Sequence, residues 1–386
     1  MRLYLRRCVP TTVLALLLPL LLSISGCTDP YEPEVINSPK SFLVVSGFIN
    51  LSGVTTIRLS RTQNLAATEA PPAETGATVT IEDATGTRYG LTEQAGGTYT
   101  APVLPLSAGQ QYRLRLRTSA GREYASDLVA AKASPPIDKL TWTQDDRGVQ
   151  VYVSAQDPAG TTRYYRWTYQ ETWEFQSAYN SFFEYVNGAI QRRQENIYQC
   201  WATANSTSIR LSSTAKLSQD VVASFPLTRV PLNSAKLHFK YSILVSQYAQ
   251  TPEEYAYYEL LQKNTENLGG LYDPQPSQLT GNVHCLTDAA ETVIGYVGAT
   301  GVTERRLFIA STELPPQGRY ETGYETCSAD TILLQNLSFR FNNAGYLPIS
   351  GVGEGRTGTL IGYSGAPAEC VDCRLRGTNV KPSFWP

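Results

Sequence analysis

Histidine is nearly absent. The 386-residue chain carries two, His238 and His284. These are the only imidazoles available as a general base or metal ligand. Around them there is no HExxH pair, no phosphate-cradling glycine loop and no nucleophile elbow. Zinc-peptidase, nucleotide-transfer and serine-hydrolase chemistry therefore have no motif to rest on. Gly295-Tyr-Val-Gly298 is too short for a dinucleotide fingerprint. Charge is also scarce. Asp, Glu, Lys and Arg make up 17% of the chain and the formal net charge is −2. Nucleic-acid binding, which wants a basic face, is not expected. Asp145 and Asp146 sit beside Gly148 and read as a turn. Glu253 and Glu254 fall in the first turn of a helix, where the macrodipole accounts for them. No opposed pair of acids for glycoside hydrolysis stands out. The expectation is a non-catalytic chain with no cofactor and no metal.

The first residues have a clear order. Met1–Arg7 holds Arg2, Arg6 and Arg7, and Val9–Leu22 is almost wholly apolar but short for a span of roughly 20 apolar residues. This reads as a secretory signal over residues 1–26. Ile24-Ser25-Gly26-Cys27 then fits a lipoprotein cleavage site. Small residues let an extended backbone enter a peptidase, and the Cys27 thiol can take a diacylglycerol. With about 0.8 kcal/mol per buried CH₂, two or three acyl chains hold a membrane where one does not. The competing reading is an ordinary signal with a chance cysteine. Residues 27–40 hold three prolines with Asp29, Glu32 and Glu34 and read as an extended tether. Membrane lipid, reached through acylated Cys27, is the expected first partner.

Of seven cysteines, Cys8 leaves with the signal and Cys27 is the lipid site. Cys200, Cys285, Cys327, Cys370 and Cys373 remain for structural use, an odd number, so at least one stays free or buried. In an oxidising envelope disulfides are the default. Cys285–Cys327 and a bridge to the tail pair both stay open. Cys370-Val-Asp-Cys373 has redox or metal spacing. It sits, however, in a Gly/Arg/Pro-rich tail rather than at a helix start, and the histidines are distant. Structural disulfide use is expected.

Strand signals dominate the chain from Ser41 onward. Ser41–Asn50, Val54–Ser60, Ala77–Asp83, Arg88–Leu91, Gln111–Thr118 and Glu123–Val129 are short runs separated by glycine turns. In Gln111–Thr118, Tyr112, Leu114 and Leu116 alternate with Arg113, Arg115 and Arg117, an apolar face against a solvated basic one. These runs predict an Ig-like β-sandwich over residues 41–133, ending at the Lys132–Pro136 linker. Residues 134–386 predict a larger, sandwich-like β-rich domain, so the chain as a whole is mainly β. In Thr162–Glu174 both faces carry aromatic or long side chains. That strand either lies between two packed elements or borders a groove, and Trp167, Trp173, Phe182, Phe183 and Tyr185 are the candidate groove residues for an unknown small molecule, glycan or peptide. The core-packing alternative stands beside it. His238, on the face of Lys236 and Lys240, reads as a surface or edge residue. A helix is predicted over 251–268, with Thr251 as cap, Pro252 in the first turn and Gly269-Gly270 as stop. Thr292–Ala299 and Glu304–Ala310 read as a hairpin. The tail ending in Phe384-Trp385 reads as a strap with Trp385 buried.

Taken with the Cys27 site, Val44-Val45-Ser46-Gly47, Leu59-Ser60-Arg61-Thr62, the block from Thr251 to Cys285 and the tail CVDCRLRGTNVKPSFWP give a chain that resembles the DUF4249 family of Bacteroidota lipoproteins. The resemblance covers nearly all of Ser41–Trp385. It implies an outer-membrane, surface-facing lipoprotein, and the acidic tether resembles a surface-export signal of such proteins. It also implies company with SusC-like TonB-dependent transporters, and it brings no catalytic residue. The expected function is a non-catalytic binding or accessory module in nutrient uptake. A structural or adhesion module and an enzyme on surface glycans or peptides are the alternatives.

Overall fold

The computed structural model describes residues 41–64, 67–266, 279, 281–316, 318–355 and 358–386. The signal, Cys27, the tether and the expected helix stop at Gly269-Gly270 lie outside these residues. The fold is mainly β, with sandwich-like packing of sheets.

In the first unit a period-two pattern decides which face is buried. Gln111–Arg117 buries Tyr112, Leu114 and Leu116 and turns its arginines outward. Thr55–Arg61 buries Thr55, Ile57 and Leu59 in the same way. The strands form one continuous hydrogen-bonded path. From one edge it runs Glu123–Ser126, Gln111–Arg117, Thr78–Asp83, Arg88–Glu93, Thr98–Ala101, Thr55–Arg61 and Leu43–Asn50. Arg88–Glu93 pairs on both sides and joins two halves. Leu43, Val45, Ile57 and Leu59 of one half share a core with Val79, Ile81 and Leu114 of the other.

This unit is not confined to residues 41–133. Val283–Cys285 extends one edge by pairing with Glu123–Ser126. Val293–Ile294 and Ala299–Thr300 pair in parallel with Leu43–Asn50 at the other edge. The expected hairpin at 292–310 is therefore wrong. Its first half belongs to the first unit, and Val302–Ala310 pairs with Lys240–Ala249 in the second. The apolar alternation of the two halves was legible, but the separate partner of each was not.

The second unit packs a three-stranded sheet (Val221–Val230, Gly148–Gln156, Ile137–Asp145) against a five-stranded one built on Tyr164–Gln176 and Lys240–Ala249. Val149, Val151 and Val153 meet Tyr165, Trp167, Tyr241, Ile243 and Val245 in its core. Gly148–Gln156 is buried along nearly its whole length, as a near-continuous apolar run requires. A smaller sheet of Asp330–Leu333, Thr359–Pro367 and Tyr346–Glu354 sits beyond it, with the hairpin Phe183–Val186/Ala189–Arg192. The helix spans Pro252–Glu266, and the Thr251 hydroxyl accepts the Glu254 N–H at 3.2 Å.

Two disulfides tie the tail down, Cys200–Cys373 and Cys327–Cys370, each with Cα atoms 5.8 Å apart. Cys285 is buried and unpaired. A Cys285–Cys327 bridge is excluded, because Cys285 lies in the strand that edges the first unit. Cys370 and Cys373 bond to different partners, so the CxxC spacing forms neither a dithiol pair nor a metal ligand pair.

Candidate functional site

The candidate groove residues do not converge. Strand alternation puts Tyr165, Trp167 and Tyr169 on the core face of Tyr164–Gln176, and Trp167 is 0% exposed. Its indole N–H donates to Gln247 Oε1 at 2.9 Å, so it is a core residue and not part of a groove. Phe183 stacks edge-on against Tyr363 at 5.3 Å, and Tyr185 meets Phe341 at 5.8 Å. Both serve the contact with the small C-terminal sheet. Phe182 is exposed. Trp173 lines a pocket.

That pocket, of 160 Å³, forms where the strand end, a turn, a loop and the tail meet. Trp173 and Phe175 come from the end of Tyr164–Gln176, and Ala202 from the paired strand Gln199–Asn205. Ala235 and His238 come from the turn before Lys240–Ala249. Thr322 and Tyr324 come from the loop preceding Cys327, and Arg376 from the tail three residues after Cys373. The two disulfides thus brace the loop and tail walls. Gly377 is needed at this junction. A Cβ there would lie 2.5 Å from the Trp201 carbonyl oxygen and 2.9 Å from the Phe175 ring. Trp201 and Thr378 exchange two backbone hydrogen bonds at 2.8 and 2.9 Å. Beyond them Trp385, 6% exposed, packs edge-on to Phe308 at 5.6 Å.

The polar groups around this pocket differ in how they are satisfied. Lys236 lies 5.1 Å from the Trp173 ring centroid, and its charge is met by Glu171 at 2.6 Å. Arg376 is exposed and stacks over the Tyr324 ring at 4.0 Å. Its backbone N–H donates to the Cys373 carbonyl at 3.0 Å, and its guanidinium makes a long 3.5 Å contact to the Thr322 carbonyl. The carboxylates of Glu195 and Asp372 pair with Arg374 instead, and no carboxylate among the described residues pairs with Arg376. Tyr324 is 7% exposed and its hydroxyl is buried without a hydrogen-bond partner. Burial pushes that phenol up from its ordinary range. His238 is sandwiched between Phe239 at 4.1 Å and Tyr320 at 4.3 Å, not placed on an open edge. Burial holds its imidazole below its usual value, so it is neutral near pH 7.

A larger opening of 730 Å³ lies between the helix and the returning segment, lined by Asp127, Tyr257, Asn282 and Tyr296 among others. Its polar groups are mostly committed. Asn282 bonds Val297 through both ends of its amide, at 3.1 and 2.8 Å, and Thr251 caps the helix. His284 pairs with Asp127 at 3.1 Å. Among the described residues no group of three or more His, Cys, Asp or Glu side chains could hold a metal.

The outward arginines of the first unit are less solvated than the alternation implied. Glu82, 3% exposed, accepts from Arg88 at 2.6 Å and from Arg113 at 2.8 Å. Burial pushes the Glu82 carboxyl up, but the hydrogen bonds from Arg113 and Arg88 outweigh it and hold it below the ordinary carboxylate range. A threonine-rich strand surface offered no sequence signal that its one buried acid would gather the basic stripe.

The architecture defines a disulfide-braced, two-unit β protein with an aromatic pocket under its tail. Residues 28–306 match the model of a family described as a domain of unknown function, DUF4249, and the chain belongs to that family. No curated protein matches it. Among solved structures, a segment of two fibronectin type-III domains from chicken tenascin aligns at 11% identity. It covers 53% of this chain and 88% of that one, with a TM-score of 0.16. A pullulanase complexed with maltotriose from Anoxybacillus sp. LM18-11 aligns at 11% identity over 50% of this chain and 26% of that one, also with a TM-score of 0.16.

Proposed function

We propose that this protein is a lipid-anchored binding module of the outer-membrane surface. In this reading it holds its ligand without transforming it and serves a SusC-like TonB-dependent transporter in nutrient uptake. The observation that carries the binding role is the pocket of Trp173, His238, Tyr324 and Arg376. Its walls are fixed by two disulfides. The carboxylates of Asp372 and Glu195 are held by Arg374, and among the described residues the Arg376 guanidinium has no carboxylate opposite it. Fixed walls lower the ordering cost of binding, and the unpaired guanidinium gives an occupant something to pair with. The anchoring role rests on the Ile24-Ser25-Gly26-Cys27 pattern and on the acidic, proline-rich sequence that follows it.

The test has two readouts from one preparation. The tagged protein is extracted from native outer membranes, its N-terminus is read by mass spectrometry, and co-purifying proteins are identified. An acylated Cys27 and a co-purifying barrel transporter are expected. An unmodified N-terminus, or a preparation without an envelope partner, would overturn the corresponding half.

A further inference from the structure

We propose that the pocket beneath the tail takes a small flat carboxylate, an aromatic ring or a group of that size bearing one carboxyl. This rests on the binding-module reading and names the ligand class that reading leaves open. Size is the first argument. At 160 Å³ the cavity is close to the ~150 Å³ apolar cavity that accepts benzene. Wall chemistry is the second. Trp173, Phe175 and Ala202 present carbon surface, and a flat ring can meet the two aromatics edge-on or offset.

Charge is the third argument. Arg376 sits at the rim with its guanidinium carbon over the Tyr324 ring, and with Glu195 and Asp372 held by Arg374 it has no carboxylate opposite it among the described residues. A guanidinium is a planar fork of donors that matches a carboxylate in two parallel hydrogen bonds. Stacking on Tyr324 orients that fork before any ligand arrives. The Tyr324 hydroxyl has no accessible surface, so Tyr324 contributes its ring to this site and not a hydrogen bond.

The same inventory disfavours other classes. A cationic ligand meets Arg376. A neutral sugar carries hydroxyls around its whole rim, and each one buried without a partner costs about 1–3 kcal/mol. Two sources share the favoured chemistry: a free aromatic acid, and the C-terminal residue of a peptide.

The experiment titrates the full mature protein in detergent by calorimetry. The probes are benzoate, its neutral counterpart benzamide, and a short peptide ending in phenylalanine with a free or an amidated terminus. Benzoate is expected to bind saturably, with benzamide about tenfold weaker or more, as loss of a charge-assisted pair predicts. Arg376→Gln should weaken benzoate by a similar factor while leaving benzamide and the melting temperature unchanged. Tighter binding of the free-terminus peptide than of benzoate assigns a peptide source, and the reverse assigns a free acid.

Equal affinity for benzoate and benzamide overturns the proposal. So does an unchanged benzoate affinity in Arg376→Gln, or the absence of saturation by either ring probe in the millimolar range. Failure here leaves membrane anchoring and transporter recovery standing. Failure of those leaves this titration unaffected.

Discussion

The carboxylate of Glu254 rests against Gly298 so closely that a Cβ on that glycine would lie 2.5 Å from Oε2. One residue belongs to the helix Pro252–Glu266 of the second unit. The other lies in the returning segment that completes the first. Glu254 is 2% exposed and is the one buried residue of its helix. Around it, Arg166 lies between the rings of Tyr248 at 4.1 Å and Tyr258 at 4.5 Å. Near the same junction Ala249 N–H donates to Ser134 Oγ at 2.7 Å and Phe48 meets Tyr248 edge-on at 5.2 Å. The seam between the units is thus both aromatic and polar.

A pH effect comes from this contact. Burial pushes the Glu254 carboxyl up, and the charge of Arg166 opposes that shift without cancelling it. With its folded-state pKa above its unfolded value, the folded chain holds more protons between the two. Stability is therefore greatest below the unfolded value and is lost as pH rises through the folded one. Glu254→Gln keeps the shape and removes the ionisation. We expect it to be more stable than the parent at neutral pH and equal to it below the ordinary carboxylate range. Urea melts at both pH values check this, and a parent-like midpoint at neutral pH would refute it.

The Gly298 side of the contact is sterically testable. Gly298→Ala forces a methyl into the carboxylate and should cost about 1–3 kcal/mol, as overpacking does. In a Glu254→Ala background the same change should cost markedly less. A double-mutant cycle measures the difference. Additive costs would mean that the two residues do not share the strain.

The tail staple should carry stability as well as position. Cys200 and Cys373 are 173 residues apart, and replacing both with serine should cost about 2–4 kcal/mol. In native buffer the tail around Trp385 should resist protease until reductant is added. Cys285, buried in its strand, should stay unreactive to alkylation until the chain unfolds. Early labelling of a thiol without reductant would contradict the assignment of the two bonds.

Two tryptophans six residues apart should behave differently. Trp167→Ala empties the core of the second unit and should cost about 3–5 kcal/mol. Trp173→Ala removes a half-buried pocket wall, so it should cost less than Trp167→Ala and should weaken benzoate binding. Thermal melts and titration separate them, and equal destabilisation would place Trp173 in the core.

What the sequence made legible was local. The alternation in Gln111–Arg117 reflects a period of two, and Thr251 and Pro252 mark a helix start by their hydrogen-bonding limits. Both kinds of signal live within a few residues. The pocket was not legible, because Trp173, His238, Tyr324 and Arg376 meet only after two disulfides bring distant loops together. Trp167 and Trp173 are both aromatic on one strand, and nothing local says that one faces a sheet and the other an opening. Glu254 misled for the same reason. Its place in a first turn explained a carboxylate well enough to hide that the returning glycine covers it.

The late strands have a cost for a chain that emerges from its amino end. Leu43–Asn50 keeps an open flank until residues 293–300 arrive, and Glu123–Ser126 until 283–285. An uncovered flank is a template for pairing with a stranger. Through most of its synthesis this molecule therefore needs either a holdase or haste, and a fragment ending at the linker would carry two sticky borders rather than a finished module.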